Sequence, residues 1–350
     1  MTPALQPSQI IPKCIPPAID NGSLIFQDML GVGAYGSVYR ALDTHSGQMR
    51  AVKCLINPAH NSRQRAFQAL EAQLHALVSG HPNIATLHRV IEDEDFLYMV
   101  LDCGVEGDLF SKITERGGYV GNDAAIKTIF AQIASAVMHC HSQGVFHRDL
   151  KPENVIIVGD EVKLVDFGLA TAERISTEFG CGSTFYLSPE CQGGYLEPVK
   201  SYDSAANDVW SMAVILINLV FGRNPWKQAC VRDETFAAYV RNTDFLRTIL
   251  PMSNELNEIV KAAFCLNPRE RISLQELANR VQLCKSFTTH GLPARDLAAP
   301  TTVEATAQAA KTAAATAVQI GSYFVPEEKR QAGNEKDQSQ DSGVDLHSMS

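Results

Sequence analysis

A glycine-spaced loop, a lysine and a set of carboxylates carry the chemistry legible in this chain. The loop runs Gly31-Val32-Gly33-Ala34-Tyr35-Gly36-Ser37-Val38, directly after Leu30. Glycines let a backbone come close to phosphate oxygens, and the pattern that follows is a strand, not the helix of a dinucleotide-binding turn. Alone, the same spacing also suits a plain glycine-rich hairpin. On the next strand pattern, alternation puts Ala51 and Lys53 on one face. A lysine pointing inward there needs an anion, and phosphate oxygens with a helix carboxylate supply one. Glu71, within a stretch of helical spacing, is the carboxylate best placed; a solvated Lys53 and Glu71 at the surface is the alternative.

Two further segments decide between these readings: His147-Arg148-Asp149-Leu150-Lys151-Pro152-Glu153-Asn154 and Asp166-Phe167-Gly168. In this order and spacing, the set resembles the signature of the eukaryotic protein-kinase superfamily. Ser188-Pro189-Glu190, Asp208-Val209-Trp210 and Arg271 continue the likeness, which covers roughly Leu24 to Leu283. It implies a bilobal α+β fold, with a small β-rich lobe and a larger helical one around a nucleotide cleft. By this resemblance Asp149 takes the substrate hydroxyl proton and orients that oxygen for in-line attack. Asn154 and Asp166 are hard oxygen ligands for two magnesium ions bridging the phosphates. Lys151 neutralises the transferring phosphoryl group and marks serine/threonine rather than tyrosine specificity. Lys53, paired with Glu71, fixes the α and β phosphates of ATP under the loop from Leu30 to Val38. Adenine lies between Val38 and Ala51 on one side and Ile156 on the other, beside Leu101 and the hinge Asp102-Cys103-Gly104. Asp108 binds the ribose or a basic substrate residue, Asp208 braces the catalytic loop, and Arg271 pairs with Glu190.

Some positions depart from that pattern. Where many kinases carry a phosphorylated threonine that docks on Arg148, this chain has Phe179, with Ser176, Thr177 and Glu178 just before it. Either Glu178 or the packing of Phe179 orders the segment without phosphate, or Thr177 is a switch. His75, at a site usually apolar, reads as a satisfied core histidine, with a pH-sensitive helix position as the sharper idea. His139 and His141 point to different sides of one helix, which argues against a metal site. Cys103 and Cys181 read as small packing residues. Asp108 and Glu153 favour a basic residue upstream of the acceptor, but Asn218 replaces a further acid, so the preference is modest.

The elements that must position these groups follow the same order. Strand patterns from Ser23 to Ile56 form an antiparallel meander. Phe67, Leu70, Leu74 and Leu77 recur at helical intervals, predicting a helix over Arg63–Val78 that Pro82 stops. Strands Ile84 to Val90 and Phe96 to Leu101 come next, then a helix from Asp123 to His141 and mostly helical spacing beyond Val199. The 350 residues, 45% hydrophobic, suit a globular chain, and the net charge of -9 argues against a nucleic-acid binder. No apolar run reaches the roughly 20 residues needed to span a bilayer, so Met212 to Phe221 reads as a core helix. Nine scattered cysteines read as reduced thiols, pointing to the cytoplasm or nucleus. The expected organisation is a disordered proline-rich start over 1–23, a kinase-like domain over 24–283, and a mostly disordered Ala/Thr-rich and polar tail over 284–350. Asp341-Ser342-Gly343 in that tail is a weak match to a phosphodegron core.

Gly180-Cys181-Gly182-Ser183 through Glu190, with the segment from Asn207 to Ala229, is similar to fungal serine/threonine kinases that link nutrient status to sexual differentiation or filamentous growth. The expectation is an ATP- and magnesium-dependent kinase acting on protein substrates as a monomeric catalytic domain. A pseudokinase scaffold and a small-molecule kinase are the rivals; intact Lys53, Asp149, Asn154 and Asp166 weigh against the first, and Lys151 against the second.

Overall fold

Short runs of alternating, β-branched and aromatic residues broken by turns make the first half of the folded chain a sheet. The computed structural model describes residues 15–32, 36–57, 62–115 and 118–289. Strands β1 (Ala18–Ile19), β2 (Leu24–Val32), β3 (Gly36–Asp43) and β4 (Gln48–Ile56) lead into helix α1 (Arg63–Val78), followed by β5 (Leu87–Glu92) and β6 (Phe96–Asp102). The six strands form one antiparallel sheet in the order β1-β2-β3-β4-β6-β5. Its register sets Lys53 between Val38 and Met99, and Ala51 between Arg40 and Leu101. One face buries Leu24, Val52, Tyr98 and Val100, while Ala51, Leu101 and Cys103 cluster separately toward the cleft. Gly36 permits the β3–β4 pairing, because a Cβ there would sit 2.0 Å from the Cys54 carbonyl oxygen.

Ser62 caps α1 by accepting from the Arg65 amide, and the helix closes at Ser79, ahead of Pro82. Pro82 lies three residues past the cap, where it cannot donate to the Val78 carbonyl and so bars continuation of the helix. The helical period names the span correctly, but three of its four apolar residues lie outward. Phe67, Leu70 and Leu77 are 43%, 37% and 53% exposed, whereas Gln68, Glu71, Leu74, His75 and Val78 are buried. The inner face must offer Lys53 a carboxylate, and that requirement overrides hydrophobicity. The strand expected from Ile84 begins instead at Leu87, because Ile84 and Ala85 are buried against Leu164 of the second lobe.

The helical lobe follows: α2 (Leu109–Thr114), α3 (Asp123–Ser142), β7 (Val155–Val158), β8 (Glu161–Leu164), β9 (Ile175–Ser176), β10 (Tyr202–Asp203), α4 (Ser204–Phe221), α5 (Glu234–Arg241), α6 (Leu246–Ile249), α7 (Asn254–Ala263) and α8 (Leu274–Leu283). A short 3-10 turn over Pro152–Asn154 precedes β7. Asp203 caps α4, and Gly222 ends it at a φ of 66°, a left-handed value that suits glycine. By length and composition α4 would also span a membrane, but 89% of that window is buried in this core. Trp210, Trp226, Phe236 and Phe264 interlock there, with ring centroids 4.8 to 6.3 Å apart.

Both expected boundaries move outward. Ala18 and Ile19 pair with Ile25 and Leu24, so order begins before residue 24. At the other end Cys284 and Phe287 are buried and Thr288 bridges Met252, because helix α8 alone leaves that core face open. Residues 1–14 and 290–350, including the Ala-rich stretch and Asp341-Ser342-Gly343, lie outside the described residues.

Candidate active site

The cleft face of the sheet carries Lys53, and its ammonium joins two carboxylates from elsewhere in the chain. Lys53 Nζ donates to Glu71 Oε1 at 2.5 Å and to Asp166 Oδ1 at 2.8 Å. Burial works against the charge on Lys53, but Asp166 and Glu71 more than offset it and hold the ammonium protonated. Lys53 in turn keeps Asp166 far below the usual carboxylate range, against the opposing effect of burial. The surface alternative for Lys53 and Glu71 is thus excluded: their side chains are 19% and 8% exposed.

Asp149 sits on a loop that one buried acid shapes. Asp208, fully buried, accepts from the His147 and Arg148 amides at 3.0 and 2.9 Å and from His141 Nε2 at 2.8 Å. Arg148 and Asp166 each hold a φ of 63°, a costly conformation for residues with a Cβ. Asp149 Oδ2 accepts from Lys151 Nζ at 2.7 Å and from Asn154 Nδ2 at 3.2 Å, while its Oδ1 accepts from the Ser183 amide at 2.9 Å. Lys151 Nζ also reaches Ser183 Oγ at 2.9 Å. A hydroxyl arriving here meets a fixed acceptor with a cation beside it, an arrangement for deprotonation and for stabilising developing negative charge.

Asn154 spends its amide hydrogens on the backbone and side chain of Asp149, which leaves its carbonyl oxygen as the ligating atom. The Asp166 carboxylate is 45% exposed toward the cleft. These hard oxygen donors fit magnesium better than a softer metal. For the nucleotide, Val38, Met49 and Leu87 pack against Ala51, Leu101 and Cys103. Across the cleft, Ile156 pairs with Asp108, and glycine at 104 lets Ile156 approach the hinge: a Cβ would lie 2.8 Å from it. At Gly31 the space a Cβ would fill is open. Gly33, Ala34 and Tyr35 lie outside the described residues, while Leu30 and Val32 are exposed beside them. Asp108 uses one carboxylate oxygen to cap α2 through the Ser111 amide.

Burial pushes the thiols of Cys103 and Cys181 up, as suits packing residues. His75 is buried with its Nε2 donating to the Ala85 carbonyl at 2.7 Å, its ring 4.6 Å from that of Phe167, and His147 meets Phe167 from the other side at 5.0 Å. His139 stacks on His81.

Sequence reading named Ser183 and Asp102 but not the contacts they make. Ser183 connects base and lysine, signalled only by the glycine before it: Gly182 has a φ of 119°, and a Cβ there would lie 2.5 Å from the Arg148 carbonyl oxygen. The side chain of Asp102 ties the lobes, accepting from Lys163 at 2.9 Å, His88 at 2.7 Å and the Thr86 amide at 3.1 Å. Burial opposes that charge, but Lys163, His88 and Thr86 bring the carboxyl down to about 2.

Comparison with known proteins follows this geometry. Residues 25–281 match the model of the protein kinase domain. The chain is 49% identical over 292 residues to "Negative regulator of sexual conjugation and meiosis" of Schizosaccharomyces pombe, a match covering 78% of this chain and 62% of that protein. It is 30% identical to "Serine/threonine-protein kinase VHS1" of Saccharomyces cerevisiae, over 76% of this chain and 71% of that one. Against "Serine/threonine-protein kinase ksp1" of Schizosaccharomyces pombe the identity is 34%, over 74% and 56%. The chain thus spans less than two thirds of the length of the first and third of these relatives.

Proposed function

The chain belongs to the protein kinase family, and on that premise we propose that it transfers the γ-phosphoryl group of ATP to serine and threonine hydroxyls of proteins. The convergence of Lys151, Asn154 and Ser183 on the Asp149 carboxylate carries this reading. Asp149 accepts the hydroxyl proton; Lys151, bonded to Asp149 and Ser183, sits where the negative charge develops. Lys53 anchors the phosphates while Glu71 keeps the lysine in place. Magnesium held by Asn154 and Asp166 supplies positive charge alongside the phosphates when bound.

Substrate choice follows from the acids bordering the site. Glu153 Oε2 is buried with no hydrogen-bond partner, and Asp108 lies close enough to repel its charge. A guanidinium from a substrate residue upstream of the acceptor satisfies both. Asn218 adds no charge to that pull; its Nδ2 donates to the Arg223 carbonyl and to Asn224 Oδ1. By its likeness to the regulator of conjugation and meiosis, we assign the chain to fungal developmental or nutrient signalling, in the cytoplasm or nucleus.

The test is transfer of labelled γ-phosphate to a peptide array by bacterially expressed, phosphatase-treated protein, beside Asp149→Asn. Serine and threonine labelling should fall about 10²- to 10⁴-fold in the variant. Equal labelling by both proteins, or ATP binding with no labelling by either before or after phosphorylation, refutes the proposal.

A further inference from the structure

A row of polar side chains ties helix α1 to the sheet, and the row sets where Glu71 sits. Arg65, Gln68, Glu71 and His75 recur at intervals of three and four, so they share one face of the helix. Each has its own anchor. Arg65 Nη1 donates to Asn57 Oδ1 at 2.9 Å, and its Nη2 pairs with Glu92 at the end of β5. Gln68 Nε2 donates to the Ile56 carbonyl at 3.0 Å, Glu71 accepts from Lys53, and His75 donates to the Ala85 carbonyl. As the helix advances through 65, 68 and 71, its anchors run back through 57, 56 and 53. The two elements therefore lie antiparallel, with one polar tie for each turn of α1.

Asn57 makes the outer tie firm. Its Nδ2 donates to Glu92 Oε1 at 3.1 Å and to the Asp93 carbonyl at 3.0 Å, and its amide donates to the Asp95 carbonyl at 2.7 Å. Arg65, Asn57 and Glu92 thus close a triangle at the end of the sheet. Gln68 forms the inner tie. It is 4% exposed, and its Oε1 is buried with no hydrogen-bond partner among the described residues. An orphaned oxygen at that depth costs stability, and an apolar side chain of the same length avoids the cost. What the glutamine supplies instead is a donor aimed at Ile56, three residues past Lys53. Apolar burial contributes little to this half of the helix: over residues 63–71 the buried side chains are Gln68 and Glu71, and Leu74 and Val78 come later.

We propose that Gln68 and Arg65 are positioning residues, whose ties hold the first two turns of α1 against β4 so that Glu71 meets Lys53. The lysine is shared between two carboxylates, Glu71 on α1 and Asp166 on the helical lobe. With the ties gone, α1 moves off β4 more easily and Asp166 alone keeps the ammonium. The bond from Gln68 to Ile56 acts closest to the pair, and the Arg65 triangle fixes the start of the helix. This proposal rests on the kinase reading above, and the experiment separates the two.

The full chain is compared with Gln68→Met, with Gln68→Met combined with Arg65→Leu or Arg65→Lys, and with the same variants carrying Glu71→Gln. The measurements are hydrogen exchange of the α1 amides, kcat, KM for peptide, and thermal midpoint. Gln68→Met removes the donor and the orphaned oxygen together, so the melting temperature should stay within about 2 °C. Amide protection in the first two turns of α1 should nevertheless fall about 2- to 12-fold, the worth of one neutral hydrogen bond, with α4 unchanged. Gln68→Met with Arg65→Leu should lower kcat more than about fivefold while KM for peptide holds within about twofold. Arg65→Lys, which keeps the charge facing Glu92, should recover part of that loss. In the Glu71→Gln background the same substitutions should lower kcat no further, because no carboxylate remains to be placed; a merely structural role lowers it equally in both. Unchanged α1 protection, or an equal fall in both backgrounds, overturns the proposal and leaves the kinase reading intact. Labelling indifferent to Asp149→Asn defeats the kinase reading, and the exchange of α1 then decides the ties by itself.

Discussion

Replacing Arg271 with methionine tests the energetics of the helical lobe at its most deeply buried ion pair. The Arg271 and Glu190 side chains are 1% and 7% exposed, joined by two bonds of 2.5 and 3.1 Å. Arg271 also donates to the Ala206 carbonyl at 2.9 Å and to the Cys265 carbonyl through Nε at 3.1 Å and Nη2 at 2.9 Å, with its cation 4.9 Å from the Trp210 ring centroid. These contacts do not add, because most of their strength offsets the cost of taking the guanidinium out of water. What Arg271→Met leaves behind is a buried carboxylate without a partner, at a cost of about 3–5 kcal/mol. For a domain of this size each kcal/mol lowers the melting temperature by about 2–4 °C, so thermal unfolding followed by circular dichroism should shift by about 6–20 °C. Adding Glu190→Gln removes the stranded charge and should restore much of the loss. A shift below about 2 °C, or a double variant less stable than the single one, would show that the pair does not hold the two segments together.

Other expectations test different parts of the molecule. Burial pushes the His75 imidazole down to about 4 from an ordinary 6.5, despite the favourable bond to Ala85. Between those pH values the unfolded state binds the extra proton, so stability falls as pH drops. His75→Leu should flatten that acid limb in urea titrations from pH 6.5 to 4, and an unchanged slope would place the His75 proton elsewhere. Gly182→Ala places a Cβ 2.5 Å from the Arg148 carbonyl oxygen at a φ of 119°. Strain of about 1–3 kcal/mol should draw Ser183 off Asp149, lowering kcat more than about tenfold while ATP affinity, read by calorimetry, holds.

Groupings of contiguous residues were legible in the chain. The loop His147 through Asn154 singles out Asp149, Lys151 and Asn154, and the structure brings the last two to the carboxylate of the first. Contacts between distant segments were legible where the family pattern carried them, as for Lys53 with Glu71 and Arg271 with Glu190, and not elsewhere. Nothing in the neighbourhood of Asp102 announces Lys163, which comes from β8 of the second lobe, or His88, which the pairing of β5 with β6 brings beside it. Helix α1 carries two signals: the spacing of Phe67, Leu70, Leu74 and Leu77 marks its span, while Glu71 and His75, read as the partner of Lys53 and as a core histidine, are the residues buried with Lys53 and the Ala85 carbonyl. Burial of the termini was hidden. Ile19 ends a proline-rich run and Phe287 stands in a polar stretch, so neither belongs to a strand or helix period, yet both are buried.

The charge that Glu178 presents to Arg148 is written in the gene, and the genetic code limits how it can be exchanged. No single base change turns a glutamate codon into one for serine or threonine. The shortest routes pass through residues such as lysine or alanine, and aspartate, the one anionic neighbour, leads no closer. Arg148 is buried and its Nη1 donates to Glu178 Oε2 at 2.9 Å, so every exchange at 178 other than aspartate leaves a buried guanidinium without its anion.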